Sequence, residues 1–314
     1  MTDLLAREFV ALGHDVRVIT QTEGAGSFPF PVIRRPGPAE LIAQVKWCAV
    51  FLQNNISLRT LWPLLLFRRR LFITHQTWIG HEADRPAWSH RLKLAVLRHA
   101  TNFAISRAIA DKLPVPSVNV GNPFNDDIFR ETGNDDRTRD LIFVGRLVSD
   151  KGADVLIDAL AILLQSGMQP RLTVVGDGPE RTALEQKAEG QGLRSSITFV
   201  GSQTGAQLST TLNAHRILVV PSRWPEPFGI VALEALACGC IVVGSEQGGL
   251  PEAIGPCGLT FSNGNAPALA GVLQELLHDP GRVARLREGA QEHLAPFRRR
   301  QVANAYLQVM GGTS

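Results

Sequence analysis

The chain is poor in the features that mark the more specialised protein classes. Four cysteines in 314 residues are too few for a disulfide framework. Cys238 and Cys240 form a C-x-C, but no His/Cys pair lies nearby at zinc-like spacing. They read as reduced core thiols, which places the chain in a reducing cytoplasm. No apolar run reaches about 18 residues, and no signal-peptide pattern is present. No G-x-x-x-x-G-K-[ST] occurs, no G-x-G-x-x-G follows a first strand, and no G-x-S-x-G elbow is found. These gaps argue against a P-loop NTPase, a typical NAD enzyme and a serine hydrolase. His75 and His81 stand six apart with no Cys or carboxylate to complete a ligand set, so no metal site is expected.

What remains is an ordinary globular composition, 44% hydrophobic and 19% charged, in a chain long enough for two cores. The net charge of +3 is unevenly spread. Residues 1–130 hold 16 Lys+Arg against 10 Asp+Glu, a balance of +6, which leaves −3 for the rest. The excess clusters at Arg34-Arg35, at Arg68-Arg69-Arg70, and at Arg91, Lys93 and Arg98. Two readings of this basic half stand. It is a solvated face, or it touches anionic lipid headgroups from the inner face of a membrane. Nucleic acid fits less well, because aromatics are not interleaved with the basic clusters.

Strand-like runs recur at Leu141–Gly145, Arg171–Gly176, Ile197–Gly201, Ile217–Pro221 and Ile241–Gly244, with a shorter one at Gly258–Phe261. Helical patterns such as Ala153–Gln165 and Ala266–His278 separate them. This alternation predicts a doubly wound α/β domain with a parallel sheet and ligands beyond the strands' carboxyl ends. The N-terminal half reads as a poorer version of the same plan, with strands at Val16–Thr20 and Leu71–Thr74 and one long helix over Ser89–Lys112. Asn119–Asn134 is rich in Asn, Asp, Gly and Pro and reads as the linker. Thr2–Leu12 reads as an amphipathic helix ending at Gly13, so the N-terminal domain is expected to lack its first strand.

The segment Arg216–Ala237 reads as a buried strand, a polar turn and a helix. Glu226 lies in the turn and Glu234 eight residues on, inside the helix. Phe228, Gly229 and Ile230 bring backbone N–H groups to the helix start. A helix N-terminus suits a diphosphate, and carboxylates on either side suit hydroxyl-rich groups. That combination describes a nucleotide-sugar site. Upstream, Gly145 ends a strand, Arg146 follows it, and Lys151 stands near a helix start. Two cations there would neutralise a diphosphate leaving group; otherwise they are surface residues of a loop. Gly176 and Gly178 flank Asp177, which suits either close backbone approach to a ligand or a plain turn. Gly248-Gly249 follows a strand and reads as a structural turn, or as a stretch that lines the site by its backbone. His75 directly follows a strand, on the ligand side, as a sugar or phosphate contact or as a structural histidine. His81, His90 and His99 read as structural or surface residues.

With these residues in place, the chain resembles the retaining glycosyltransferases of family four, the group 1 glycosyltransferases with the GT-B fold of two Rossmann-like domains facing a cleft. The E-x7-E element is matched by Glu226 and Glu234, and the phosphate-binding Arg and Lys by Arg146 and Lys151. Gly176–Pro179 matches the G-D-G-P turn, Gly248–Glu252 the Gly-Gly-x-Pro-Glu element, and His75 the N-domain histidine. The resemblance implies an acceptor-side domain over 1–125, a nucleotide-sugar domain over 126–296, and a final helix, 297–314, crossing back to the N domain. It implies that Glu226 holds donor-sugar hydroxyls, that amides of Phe228–Ile230 hold phosphate, and that Glu234 holds the ribose. Arg146 and Lys151 would stabilise the departing diphosphate, and His75 would contact the sugar. Gly145, Gly176 and Asp177 would line the donor pocket. No metal and no cofactor beyond the donor substrate are implied. The acceptor would be a glycan or a lipid-linked sugar in cell-surface polysaccharide or glycolipid synthesis. A nucleotide-sugar epimerase of similar fold, or a non-catalytic nucleotide-binding relative, are the competing readings.

Overall fold

In the computed structural model, residues 1–79, 87–133 and 137–311 are described. The chain divides into two compact units, Met1–Pro123 joined by the chain from Arg299 onward, and Phe124–Arg298. The division falls after Pro123 because Phe124 bridges to Arg298 and donates its N–H to the Phe297 carbonyl at 3.3 Å. Phe124 and Phe297 therefore belong to one unit. The expected boundaries lay close by, after residue 125 and before residue 297. Asn134, the end of the expected linker, lies outside the described residues.

The strands of the first unit are β1 (Val18–Thr20), β2 (Val32–Arg34), β3 (Val50–Asn54), β4 (Arg70–His75), β5 (Thr101–Ala104) and β6 (Ser117–Asn119). β1 and β2 form a two-stranded parallel sheet, and the others a four-stranded parallel sheet in the order β3-β4-β5-β6. Phe72 on β4 and Phe103 on β5 stack beneath the helix Arg299–Gly311, whose Tyr306 is fully buried. The Tyr306 hydroxyl meets Thr74 Oγ1 at 2.7 Å, which satisfies its polar tip within the core. The helix Thr2–Ala11 packs on the same helix through Leu5 and Phe9.

One sequence expectation is corrected here. Ser89–Lys112 is not a single helix. A helix over Ala87–Arg98 stops, β5 follows, and a second helix covers Arg107–Lys112. Asn102 ends the first helix by donating both amide hydrogens, to the carbonyls of Leu97 (2.9 Å) and Ala100 (3.0 Å). Ser106 caps the second, accepting from the Ile109 N–H at 3.1 Å. The apolar periodicity of the two helices runs on across a strand too short to break it. His99 is exposed beyond the first helix, whereas His81 and the side chain of His90 lie outside the described residues.

The second unit holds β7 (Arg139–Val144), β8 (Leu172–Val175), β9 (Ile197–Gly201), β10 (His215–Val220), β11 (Ile241–Ser245) and β12 (Gly258–Phe261). All pair in parallel, in the order β12-β11-β10-β7-β8-β9. β8 and β11 are buried along their whole length, as expected when helices cover both faces of a parallel sheet. Helices Ala153–Gln165 and Ala266–His278 pack together over this sheet through Leu156, Leu160, Leu269 and Leu273. Asn265 caps the second of these, accepting from the Ala268 N–H at 3.0 Å.

Candidate functional site

The strand order of the second unit reverses between β7 and β10, which are neighbours in the sheet but distant in sequence. In open α/β sheets the loops at the carboxyl ends of the strands flanking such a point border a crevice, and ligands bind there. The loop after β7 carries Gly145, Arg146 and Lys151. The loop after β10 carries Ser222 to Gly229.

The two loops are tied together. The Asp150 carbonyl accepts from the N–H groups of Arg223 (2.9 Å) and Trp224 (3.3 Å). Gly152 adopts φ +67°, and a Cβ there would lie 2.0 Å from the Pro221 carbonyl oxygen. Gly152→Ala combines left-handed strain with a backbone clash, so the unit is expected to lose about 2–5 kcal/mol of stability. Urea denaturation checks this, and a loss under about 1 kcal/mol would contradict the assigned contact.

This crosslink brings Lys151 to Glu226. Lys151 Nζ donates to Glu226 Oε1 at 2.6 Å, and the side chains are 27% and 15% exposed. The same oxygen accepts from Ser222 Oγ at 2.6 Å. The Glu226 backbone is held as well. It pairs with Gly248 in a parallel bridge, and its carbonyl accepts from the Gly249 N–H at 2.7 Å. The Gly-Gly turn thus fixes a candidate ligand residue through its backbone.

Two residues after Glu226, Phe228 turns a fully buried ring onto Phe297, with centroids 5.5 Å apart. Gly229 follows at φ +105° and opens the helix Ile230–Ala237. Among the described residues the amides of Phe228, Gly229 and Ile230 have no backbone acceptor. Donors of that kind at a helix start present positive charge toward the crevice. Glu234 sits one turn further along. Its carboxylate takes no hydrogen bond or ion pair among the described residues, and burial pushes its pKa up to about 7.

The β8 loop closes in from the side. Gly176 stands at φ +141°, and a Cβ there would fall 1.8 Å from the Gly145 carbonyl oxygen. Asp177 is exposed. Its carboxylate accepts from the Gly178 N–H at 2.8 Å, and its carbonyl accepts from the Leu147 N–H at 2.9 Å. Arg146 is exposed, and its guanidinium makes no hydrogen bond or ion pair among the described residues. The second unit therefore assembles Gly145, Arg146, Lys151, Gly176, Asp177, Glu226, Phe228, Gly229, Ile230 and Glu234 on the loops leaving β7, β8 and β10 and the helix that follows β10.

His75 belongs to the first unit, at the end of β4, and is 1% exposed. Asn102 fixes it. Both Asn102 amide hydrogens are engaged, so its Oδ1 faces His75 Nε2 at 3.0 Å. Burial lowers the His75 pKa, and the neutral ring carries its proton on Nε2. Nδ1 is left as an acceptor.

Two residues that do not stand out in the sequence support the site. Ser222 holds the Glu226 carboxylate. Its own carbonyl accepts from Ser245 Oγ (2.7 Å) and Asn263 Nδ2 (2.9 Å). Asn263 is 41 residues away and has no fixed spacing that would flag it. Ser222 lies near the turn glutamate, but a serine in a turn carries no signal of its own.

Comparison with known proteins agrees with this geometry. Over 193 residues the chain is 37% identical to a D-inositol 3-phosphate glycosyltransferase of Salinispora arenicola, covering 58% of this chain and 43% of that protein. Over 167 residues it is 32% identical to the alpha-D-kanosaminyltransferase of Streptomyces kanamyceticus, covering 52% and 42%. The chain spans less than half the length of these curated relatives. Among solved structures, Anabaena Alr3699/HepE in complex with UDP and glucose superposes with a TM-score of 0.80 at 20% identity, over 99% of this chain and 96% of that one. The fold is GT-B. The family profile for group 1 glycosyl transferases matches residues 124–293, more than half of the sequence and almost the whole of the unit that carries the crevice, and the chain belongs to that family.

Proposed function

We propose that the chain transfers a sugar from a nucleoside diphosphate to a glycan or lipid-linked acceptor, with retention at the anomeric carbon and without a metal. The observation that carries this reading is the Lys151–Glu226 pair at the β7/β10 switch point, beside a helix start with free amides. HepE, which shares the fold, is known with UDP and glucose, and this supports the donor class.

The proposed roles follow from charge. A diphosphate accepts hydrogen bonds from Phe228, Gly229 and Ile230, and Arg146 and Lys151 offset the negative charge that grows as the glycosidic bond breaks. Glu226 accepts from donor-sugar hydroxyls, with Ser222 keeping its carboxylate in place. Glu234 accepts from the ribose diol, and Gly145, Gly176 and Asp177 line the pocket. His75 offers neutral Nδ1 to a sugar hydroxyl. For retention, the acceptor hydroxyl attacks from the face the diphosphate leaves, and its proton passes to the departing phosphate oxygen. The proposed acceptor belongs to cell-surface polysaccharide or glycolipid synthesis.

The test is nucleoside diphosphate release from a panel of sugar donors, with and without acceptor extracts. Acceptor-dependent release, with product anomers matching the donor by NMR, is expected. A new sugar nucleotide with no transfer would instead mark an epimerase, and nucleotide binding without turnover a non-catalytic relative. Lys151→Ala is expected to weaken diphosphate affinity by about 1.5–3 kcal/mol, roughly 10- to 150-fold, in calorimetric titration. Unchanged affinity would remove Lys151 from the site.

A further inference from the structure

We infer that Phe297 and His293 are positioning residues for the diphosphate, which they aim by holding the turn Phe228–Ile230. The inference rests on the donor-site reading above and adds to it a segment far from the site in sequence. The turn is fixed on two sides. On one, Gly229 stands at φ +105°, and a Cβ there would fall 2.6 Å from Leu250 Cδ1. Leu250 is fully buried and opens the helix Leu250–Ile254. On the other, the buried Phe228 ring meets the Phe297 ring at 5.5 Å between centroids, with the planes tilted by 57°.

His293 backs this pair. Its ring meets Phe297 edge to face, with centroids 5.5 Å apart and planes at 63°. Its Nε2 donates to the Ala253 carbonyl at 2.9 Å, inside the same helix that carries Leu250. Gly255 follows that helix at φ +54°, and a Cβ there would fall 2.3 Å from His293 Cε1. Glycine makes room for the imidazole and takes the left-handed turn without strain. The contacts close into a ring that runs through Phe228, Phe297, His293, Ala253 and Leu250 and returns to Gly229. The helix Ala290–Leu294, which carries His293, also packs on Ile230–Ala237, the helix whose start presents the amides.

Backbone amides serve an anion only when they are aimed, and binding groups must be held to about 0.5 Å by their support. Here the aim is set by apolar contacts, because the Phe228 side chain has no polar group to anchor it. The Phe297 backbone is itself fixed. Its carbonyl accepts from the Phe124 N–H at 3.3 Å, and the neighbouring Arg298 bridges to Phe124. The chain enters this unit at Phe124 and leaves it after Arg298. Both ends of the unit are therefore pinned beside the ring that supports the turn.

Equilibrium titration of the whole chain with UDP, GDP, ADP and dTDP, and with the matching nucleosides, tests this. The nucleosides are blind to the turn, because they bring no phosphate to its amides. Phe297→Ala is expected to weaken diphosphate binding about tenfold or more, since a misplacement of about 1 Å can cost about a hundredfold. Nucleoside affinity is expected to stay at the parental value. His293→Ala is expected to move diphosphate binding in the same direction by less. Phe297→Tyr, which keeps the ring, is expected to bind as the parent does. Phe297→Leu keeps apolar volume without the ring, so it carries the test if the alanine variant fails to fold. Cooperative melts beside each titration establish that folded protein is being titrated. Unchanged diphosphate affinity in the folded alanine or leucine variant would overturn the assignment. So would an equal loss for diphosphate and nucleoside, which marks a merely structural role. A parent chain that binds no diphosphate would instead remove the donor site, and this inference with it.

Discussion

Glu226→Ala is expected to cut sugar transfer by about a hundredfold to ten-thousandfold, because the carboxylate is assigned about two charged hydrogen bonds to donor hydroxyls at about 1.5–3 kcal/mol each. Its effect on folding should be far smaller. The substitution strands the buried Ser222 hydroxyl, at a cost of about 1–2 kcal/mol, while Lys151 at 27% exposure can take up water instead. The backbone contacts of Glu226 with Gly248 and Gly249 survive, since no side chain makes them. Steady-state kinetics beside urea melts separates the two effects. Turnover that is unaltered, or that falls only in step with folded protein, would end the assignment of Glu226 as a sugar ligand.

The second large effect belongs to Glu234 and is a dependence on pH. Burial pushes its pKa up to about 7, well above the ordinary glutamate value of about 4.3. Between those values the folded protein holds a proton that the unfolded chain has released. Stability from this residue is therefore full at low pH and declines as pH rises through about 7, by up to about 3 kcal/mol. Nucleotide affinity should run the other way. A ribose diol donates to the ionised carboxylate, so binding favours the charged form and strengthens as pH rises through about 7. Glu234→Gln is expected to be more stable than the parent at pH 8, to bind nucleoside diphosphate more weakly there, and to lose most of the pH slope. The slope that remains in the variant reports the titration of the phosphate itself. Identical slopes in both proteins would refute the ribose contact.

Much of the second unit could be read in the sequence. Its strands are short, wholly apolar and punctuated by glycine, because parallel strands covered on both faces must be. The run Leu141–Gly145 became β7 and Ile241–Gly244 became β11, each within two residues at either end. The candidate site was legible for a related reason. Its residues follow directly after those strands, so finding the strand ends located the loops. Ser222 and Asn263 were not legible. They act by bridging loops distant in sequence, and a serine or an asparagine in a turn has many commoner explanations.

The first unit was harder. β2, β3 and β6 are three to five residues long and mostly half-buried, so none gives an apolar run that stands out from its surroundings. β5 was hidden between two helices whose periodicities nearly match. Only Asn102 and Ser106 interrupt them, and their stop and cap roles depend on partners visible in three dimensions. His75 shows the same limit. Its place at the end of a strand was readable to within one residue, whereas the Asn102 contact that sets its tautomer was not.

On the proposed reading, the crevice of the second unit binds a nucleoside diphosphate through the loops after β7 and β10. The most direct measurement is a thermal-shift panel of UDP, GDP, ADP and dTDP on the whole chain, with Glu234→Ala alongside. Stabilisation by one diphosphate, lost in the variant, is the expected result and identifies the base. A cooperative melt that no diphosphate shifts, or a shift that Glu234→Ala retains in full, would contradict it.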